Sequence, residues 1–295
     1  MDCMDIRDLQ VFLAVSTRLN FTRAGEDVHL SQPSVSVRIR QLEEELGVKL
    51  FEQLGRRVAL TEAGRLLEPY AHRVVAAMDD ARHAVEELQG LERGMLRVGA
   101  STTPGTYLVP GIIALFKHDH PKIEIRLSVK DTRRVEEGVL ENEFDFGFVG
   151  GHLVSDDVEV IPWLIDEIVL VVGLRHSLAK RRQVRLRDLK GEKFIFRELG
   201  SATQAAVSKA LRDADIEAEV VLEADNPGVA KRAVQSGLGV AFLSRFAIRT
   251  ELQANILRAV RVPGLDIRRE LTIIHRKDKH LSRAARAFIE SASLA

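Results

Sequence analysis

Between Ser31 and Leu46 the apolar residues Val35, Ile39, Leu42 and Leu46 recur at intervals of 4, 3 and 4. That spacing lays one apolar stripe along an α-helix. Ser31 is a suitable N-cap, and Pro33 falls in the first turn, where a missing N–H costs nothing. A shorter helical stretch from about Thr22 precedes it, with Ala24 and Val28 four residues apart and a tight turn at His29–Leu30–Ser31. Gly25 sits inside that stretch and should weaken it by about 1 kcal/mol relative to Ala. Further upstream, Ile6, Leu9, Phe12 and Leu13 are spaced for a helix that Asp5 can cap.

A short helix, a turn and a second helix with a polar opening face form the geometry that reads a DNA major groove. Gln32 can pair with adenine, and Pro33 or Val37 can touch a thymine methyl. Ser34, Ser36, Arg38 and Arg40 suit phosphates. The same periodicity is met equally well by an amphipathic helical hairpin inside a core. The segment Gly55-Arg56-Arg57-Val58-Ala59-Leu60 tips the balance towards DNA, because it reads as a turn feeding a short strand. Such a wing would carry Arg56 and Arg57 to phosphates or into a narrow minor groove. Residues 1–60 are therefore expected to form a winged helix-turn-helix. Bulk charge lends no support: up to residue 67 nine Lys/Arg face ten Asp/Glu, and the whole chain is neutral. Any positive charge offered to DNA must be placed locally. Glu43-Glu44-Glu45 reads as a solvated helix face.

Over residues 61–90 a long helical pattern follows. Ala63, Leu67, Tyr70, Val74, Ala77, Ala81, Ala84 and Leu88 alternate spacings of 4 and 3, a heptad seam. Nothing nearby in the sequence covers such a seam, so it predicts a dimerisation helix, bent at Pro69. Two reading heads would then address two half-sites.

From residue 91 strands and helices alternate. Strands are expected at Met95–Ala100, Ile123–Val129 and Asp145–Val149, with helices from about Pro104 to Lys117 and from Val135 to Leu140. That order implies parallel strands with right-handed crossovers. A second set starts at Trp163, with strands at Ile168–Val172, Lys193–Phe196, Glu219–Glu223 and Val240–Leu243. Its helices open at Gly200–Thr203 and near Asn226, and Leu271–His275 reads as a return strand before a final helix. The expected fold class is thus α+β and multi-domain. It has a first lobe at about 91–162 and 267–295, a second at about 163–266, and a cleft between them. Three helix N-termini, at Ser101-Thr102-Thr103, Ser201/Thr203 and Asn226, are expected at that cleft and suit an anion.

No catalytic residues are expected: the chain has no G-x-S-x-G elbow, no phosphate-binding loop and no H-E-x-x-H. No metal or other cofactor is expected either, and His118-Asp119-His120, just before Pro121, reads as a solvated helix end. Gly237-Leu238-Gly239 is too short for a dinucleotide fingerprint and eases a helix-to-strand turn. One cysteine, Cys3, cannot form an intramolecular disulfide, which fits a reducing, cytoplasmic setting. No apolar run reaches the length of a membrane span.

The stretch LQVFLAVSTRLNFTRAGEDVHLSQPSVSVRIRQLEEELGVKLFEQLGRRVALTEAGRLL, with FIFRELGSATQ and AVQSGLGVAFLS in order after it, resembles the LysR-type transcriptional regulators along essentially the whole chain. The resemblance implies a cytoplasmic homodimer or homotetramer that binds double-stranded promoter DNA. It implies a two-lobed effector domain of periplasmic-binding-protein-like fold with a small-molecule effector in the cleft, and contact with RNA polymerase. By matching positions it implies DNA contacts at Gln32, Pro33, Ser34 and Ser36, and at Arg56 or Arg57. Position 37, commonly basic in that family, is Val37 here, with Arg38 next. It also implies effector contacts at Ser101, Thr102, Thr103, Thr132, Gly150, Ser201, Thr203 and Asn226. Ala202 and Gln204 stand where similar proteins often have Gly and Arg. The segment GASTTPGTYLVP resembles members that sense sulfur or carbon metabolites, and without a second cysteine thiol–disulfide sensing is not expected. The competing expectation is a cytosolic small-molecule-binding α/β protein whose helical head serves assembly only.

Overall fold

A computed structural model describes residues 4–54, 57–86, 94–151, 155–198 and 200–294. The chain divides into two compact units, one built from Met1–Gly90 and the other from Leu91–Leu140 and Phe144–Ala295.

The first unit opens with α1 (Ile6–Arg18), α2 (Phe21–Asp27) and α3 (Gln32–Leu46). Each start has the cap its residue type provides: Asp5 accepts from the Asp8 N–H, Asn20 from Thr22 and Arg23, and Ser31 from Ser34. Leu9, Phe12, Val15, Ala24, Val35, Ile39 and Leu42 pack into one core. Two positions depart from the sequence reading. Leu46 is exposed at the end of α3, and Glu43, one position past Leu42, is buried instead. Its Oε1 accepts the backbone N–H groups of Leu50 and Phe51 at 2.9 and 3.3 Å, so the carboxylate is fully occupied rather than solvated.

A hairpin of β1 (Phe51–Leu54) and β2 (Arg57–Leu60) forms the expected wing, with Phe51 opposite Leu60 and Leu54 opposite Arg57. Then α4 (Glu62–Glu86) runs unbroken through Pro69. The heptad seam splits here. Of its positions, Ala63 and Leu67 pack on the core of the head beside Ala71 and Val75, which the seam does not include, while Tyr70 and Val74 stand exposed beside Leu66 and Met78, also outside it. Leu88, the last seam position, lies outside the described residues.

The second unit begins with β3 (Gly94–Ser101), α5 (Thr102–Tyr107), α6 (Val109–Asp119), β4 (Ile123–Lys130), α7 (Thr132–Leu140) and β5 (Phe146–Gly150). β3 pairs in parallel with both β4 and β5, as the strand–helix alternation implies. The single helix expected at 104–117 is two, broken at Leu108. Pro110 has no N–H for the Thr106 carbonyl, so a continuous helix would lose that bond.

β6 (Val158–Gly173) follows, longer than the Ile168–Val172 strand expected. After it come β7 (Lys193–Arg197), α8 (Ala202–Asp213), β8 (Glu219–Ala224), α9 (Pro227–Gln235), β9 (Ala241–Ser244), α10 (Arg249–Gln253), β10 (Leu257–Val260), β11 (Ile267–Arg276) and α11 (Arg283–Leu294). β6 is the spine of this unit. Its first half pairs with β11, and its second half pairs with β9 and β10. One set of apolar side chains, including Leu96, Val98, Phe116, Phe146, Phe148 and Phe288, forms the core around β3 and β5. Another, including Ile168, Leu170, Phe194, Val207 and Val240, forms the core of the second lobe. Trp163 Nε1 donates to the Ala292 carbonyl at 2.8 Å and docks α11 on the first lobe. Gly237 adopts φ +82°, and a Cβ on Gly239 would stand 2.2 Å from the Lys193 carbonyl oxygen, so both glycines serve the turn from α9 to β9.

Candidate DNA-reading head and effector cleft

Gln32, Pro33 and Ser34 are exposed on the first turn of α3. Gln32 Nε2 donates to Ser36 Oγ at 2.8 Å, and the Ser31 and Ser34 hydroxyls lie 2.8 Å apart. The two contacts link the polar side chains of the tip to one another. Val37 is exposed on the same face one turn on, and Arg40 follows it. Arg38 is placed differently from expectation: its Nη1 donates to Asp8 Oδ1 at 2.7 Å and lies 3.8 Å from Asp5. Arg38 thus fastens α3 to the cap of α1, and its charge is already matched. Arg18 is likewise paired with Asp27, and Lys49 with Glu43. Arg56 of the wing lies outside the described residues, as does the side chain of Arg57.

In the second unit the C-terminal ends of β3 and β5 bring several expected residues together. Ser101, Thr103 and Thr132 are buried. The Thr132 hydroxyl donates to the Gly150 carbonyl at 2.9 Å, so its proton is spent on holding α7 to β5. A Cβ on Gly150 would come within 2.8 Å of Leu271 Cδ2, and one on Gly151 within 2.7 Å of the Ala202 Cβ. The second contact brings the start of α8, capped by Ser201, against the end of β5. Thr203 is buried beside it. Asn226 is spent as the cap of α9, accepting from Val229 N–H at 3.0 Å, and joins this set only through its neighbour. The Asp225 carbonyl accepts from Arg197 Nη2 at 3.1 Å.

Three charged residues near these strand ends, Arg197, Asp166 and Arg269, are not singled out by the sequence. Arg197 is buried, pairs with Glu198 at 2.7 Å, and its backbone N–H donates to Gln204 Oε1. Gln204 thus has a structural task in place of the Arg common in similar proteins. Arg269 of β11 pairs at 2.7 Å with Asp166 of β6, a residue of 0% exposure. Burial pulls the Arg269 guanidinium below its ordinary value, Asp166 opposes that, and nearby Arg197 adds to it. Arg269 and Asp166 lie 103 residues apart, which is why residue patterns do not show that pair.

Among the described residues no group of three or more His, Cys, Asp or Glu is placed to hold a metal, and no helix is long and apolar enough to cross a membrane. His118 is exposed beside Asp119 at the end of α6.

Residues 6–65 match the family model described as bacterial regulatory helix-turn-helix protein, lysR family, and residues 89–293 match the LysR substrate binding domain. The chain is 36% identical over 291 residues to a probable RuBisCO transcriptional regulator from Cyanophora paradoxa, covering 97% of this chain and 90% of the other. The solved regulatory domain of CcmR from Synechocystis PCC6803, in complex with 2-PG, covers 68% of this chain and 97% of its own at 26% identity, with a TM-score of 0.65. Full-length OxyR from Pseudomonas aeruginosa shares the fold at 22% identity, with a TM-score of 0.78 over 99% of this chain and 94% of that one.

Proposed function

The chain belongs to the LysR family of bacterial helix-turn-helix regulators, and on that premise we propose that the tip of α3 reads promoter DNA while the cleft of the second unit binds a small anion. It is a DNA-binding transcriptional regulator with an effector-binding domain, and the assembly-only reading of its head gives way to that. The observation carrying the DNA assignment is the exposed Gln32–Pro33–Ser34 tip, on a helix whose cap and buried stripe are both accounted for. Gln32, Pro33, Ser34, Ser36 and Val37 face the bases and the adjoining backbone, and Arg40 and the wing arginines Arg56 and Arg57 serve phosphates. Arg38 acts indirectly, by aiming α3.

The anion assignment draws on two supports. The CcmR regulatory domain was solved with 2-PG, a small acid. In this chain Thr103 lies beside the buried guanidinium of Arg269 at the end of β3, where α/β folds bind ligands, and Ser101 is buried at the same strand end. We assign Ser101, Thr102, Thr103, Gly150, Ser201 and Thr203 to the ligand, with Thr132 and Asn226 holding the frame. The exposed stripe on α4 is read as a homodimer seam that sets two heads on two half-sites. The protein is placed in the cytoplasm with the DNA it reads.

Fluorescence anisotropy with the DNA upstream of its own gene tests the head. Gln32→Ala should weaken specific binding by about 1–3 kcal/mol and relax preference at one base pair. Unchanged affinity and preference would sink the assignment. Thermal shifts with 2-PG, phosphate and sulfate test the cleft. A raised melting temperature is expected for wild type and none for the Thr103→Ala, Ser201→Ala double variant.

A further inference from the structure

Arg269 touches both lobes. Its Nε and Nη2 donate to Asp166 Oδ2 at 2.9 and 2.7 Å, and Nη2 also donates to Thr103 Oγ1 at 2.9 Å. The other Asp166 oxygen accepts from Ser244 Oγ at 2.7 Å. One chain of polar contacts, Thr103–Arg269–Asp166–Ser244, thus runs from α5 of the first lobe through β11 and β6 to β9 of the second. Asp166, Ser244 and the Arg269 side chain are buried, and Thr103 keeps 4% of its surface exposed.

The direction of these bonds matters. A guanidinium only donates, while a threonine hydroxyl can donate one proton and accept at its oxygen. Arg269 occupies an acceptor position of Thr103 Oγ1, and among the described residues that hydroxyl donates to no protein group. Its proton is left for whatever enters the cleft. Thr132 is the contrast, because its proton is committed to the Gly150 carbonyl.

Resting on the reading of the effector as an anion, we propose that Arg269 is the specificity-determining positioning residue of the cleft. By seating on one acceptor position of the Thr103 oxygen it turns the hydroxyl proton away from itself, so that the proton is offered to a ligand. The site then favours ligands that bring an oxygen acceptor to that proton, as carboxylate, phosphate and sulfate groups do. Asp166 keeps the guanidinium in place, and Ser244 keeps Asp166 in place.

The test is titration calorimetry of the full chain with 2-PG and with inorganic phosphate, alongside thermal melts of every variant. Thr103→Val should weaken both ligands about tenfold, the loss of one well-placed donor, while Thr103→Ser stays near wild type. Arg269→Lys keeps a positive charge against Asp166 but loses the planar fork that also reaches Thr103, and should lose as much as Thr103→Val. Because Arg269 acts through Thr103, the Thr103→Val, Arg269→Lys double variant should bind no more weakly than Thr103→Val alone. Losses that multiply in the double variant overturn the role of Arg269 and leave the anion reading standing. So does an Arg269→Lys variant that binds like wild type, or one that fails to fold. Wild type that binds neither anion overturns the anion reading and this proposal with it.

Discussion

Glu43 Oε1 accepts the Leu50 N–H at 2.9 Å across the join between the reading helix and the wing, in a site where Glu43 is only 8% exposed. The same oxygen takes the Phe51 N–H, and Lys49 Nζ closes on the other oxygen at 2.6 Å. Removing the carboxylate strands two buried donors, so Glu43→Ala should cost about 2–4 kcal/mol of stability. Glu43→Gln retains an acceptor and should cost less than half of that. Urea melts of the two variants decide it. Equal losses would mean that the charge, and not the two backbone bonds, matters there.

Gly25 offers a case where helix propensity and packing disagree in sign. As an isolated helical residue it would gain about 1 kcal/mol on replacement by Ala. A Cβ there would stand 2.5 Å from the Leu30 carbonyl oxygen, in the turn between α2 and α3. Backbone cannot step aside cheaply, so Gly25→Ala should destabilise by about 1–3 kcal/mol, the usual range for overpacking. Specific DNA affinity should fall as well, because the turn that aims α3 is displaced. A variant more stable than wild type would show that the turn relaxes freely.

These two residues mark where local pattern stops informing. Asp5, Ser31, Ser201 and Asn226 are legible because a cap acts within three residues of itself. The stripe Val35–Ile39–Leu42 and the parallel strands around β3 are legible because periodicity reports burial directly. Glu43 looks like a solvated acid until the chain returns at Leu50, seven residues later. Arg269 and Asp166 are separated by 103 residues and by the whole second lobe, and neither has a motif around it. The hydroxyls at the helix starts could thus be named from the sequence, whereas the buried Arg269–Asp166 pair could not. Thr132 is the converse case: its hydroxyl is legible in the sequence, but the Gly150 carbonyl that takes its proton is 18 residues away.

Asp145 should set part of the acid stability of the second unit. Burial pushes its carboxyl upward, but Lys279, Arg97 and the Arg97 N–H outweigh burial and hold it below its ordinary value of 3.8. Lys279 Nζ lies 2.9 Å away and is itself buried. A carboxyl depressed on folding stabilises fully above the unfolded value and loses that contribution as pH falls through the folded one. Stability from this group should hold from pH 7 down to about 5 and decline below about 4. Asp145→Asn should cost about 3 kcal/mol at pH 7, by removing the negative charge that Lys279 and Arg97 both face, and should flatten the decline. Urea melts from pH 7 to 3 check this, and parallel curves for wild type and variant would refute it.

The two faces of α4 make opposite predictions. Ala71 is fully buried against the head, whereas Tyr70 and Val74 are 54% and 45% exposed, continuing a stripe from Leu66 to Met78. Apolar side chains at this spacing on one helix face form a seam that another helix can cover. Val74→Asp should therefore leave the head folded, with an unchanged far-ultraviolet spectrum, yet convert the protein to monomers in analytical ultracentrifugation. Affinity for a DNA with two half-sites should then fall far more than affinity for one half-site, since the second head no longer arrives tethered. Ala71→Asp should instead unfold the head, because the charge enters its core without a partner. If Val74→Asp remains dimeric at micromolar concentration, the stripe on α4 is not the seam. The pairing of heads would then have to come from surfaces of the second unit.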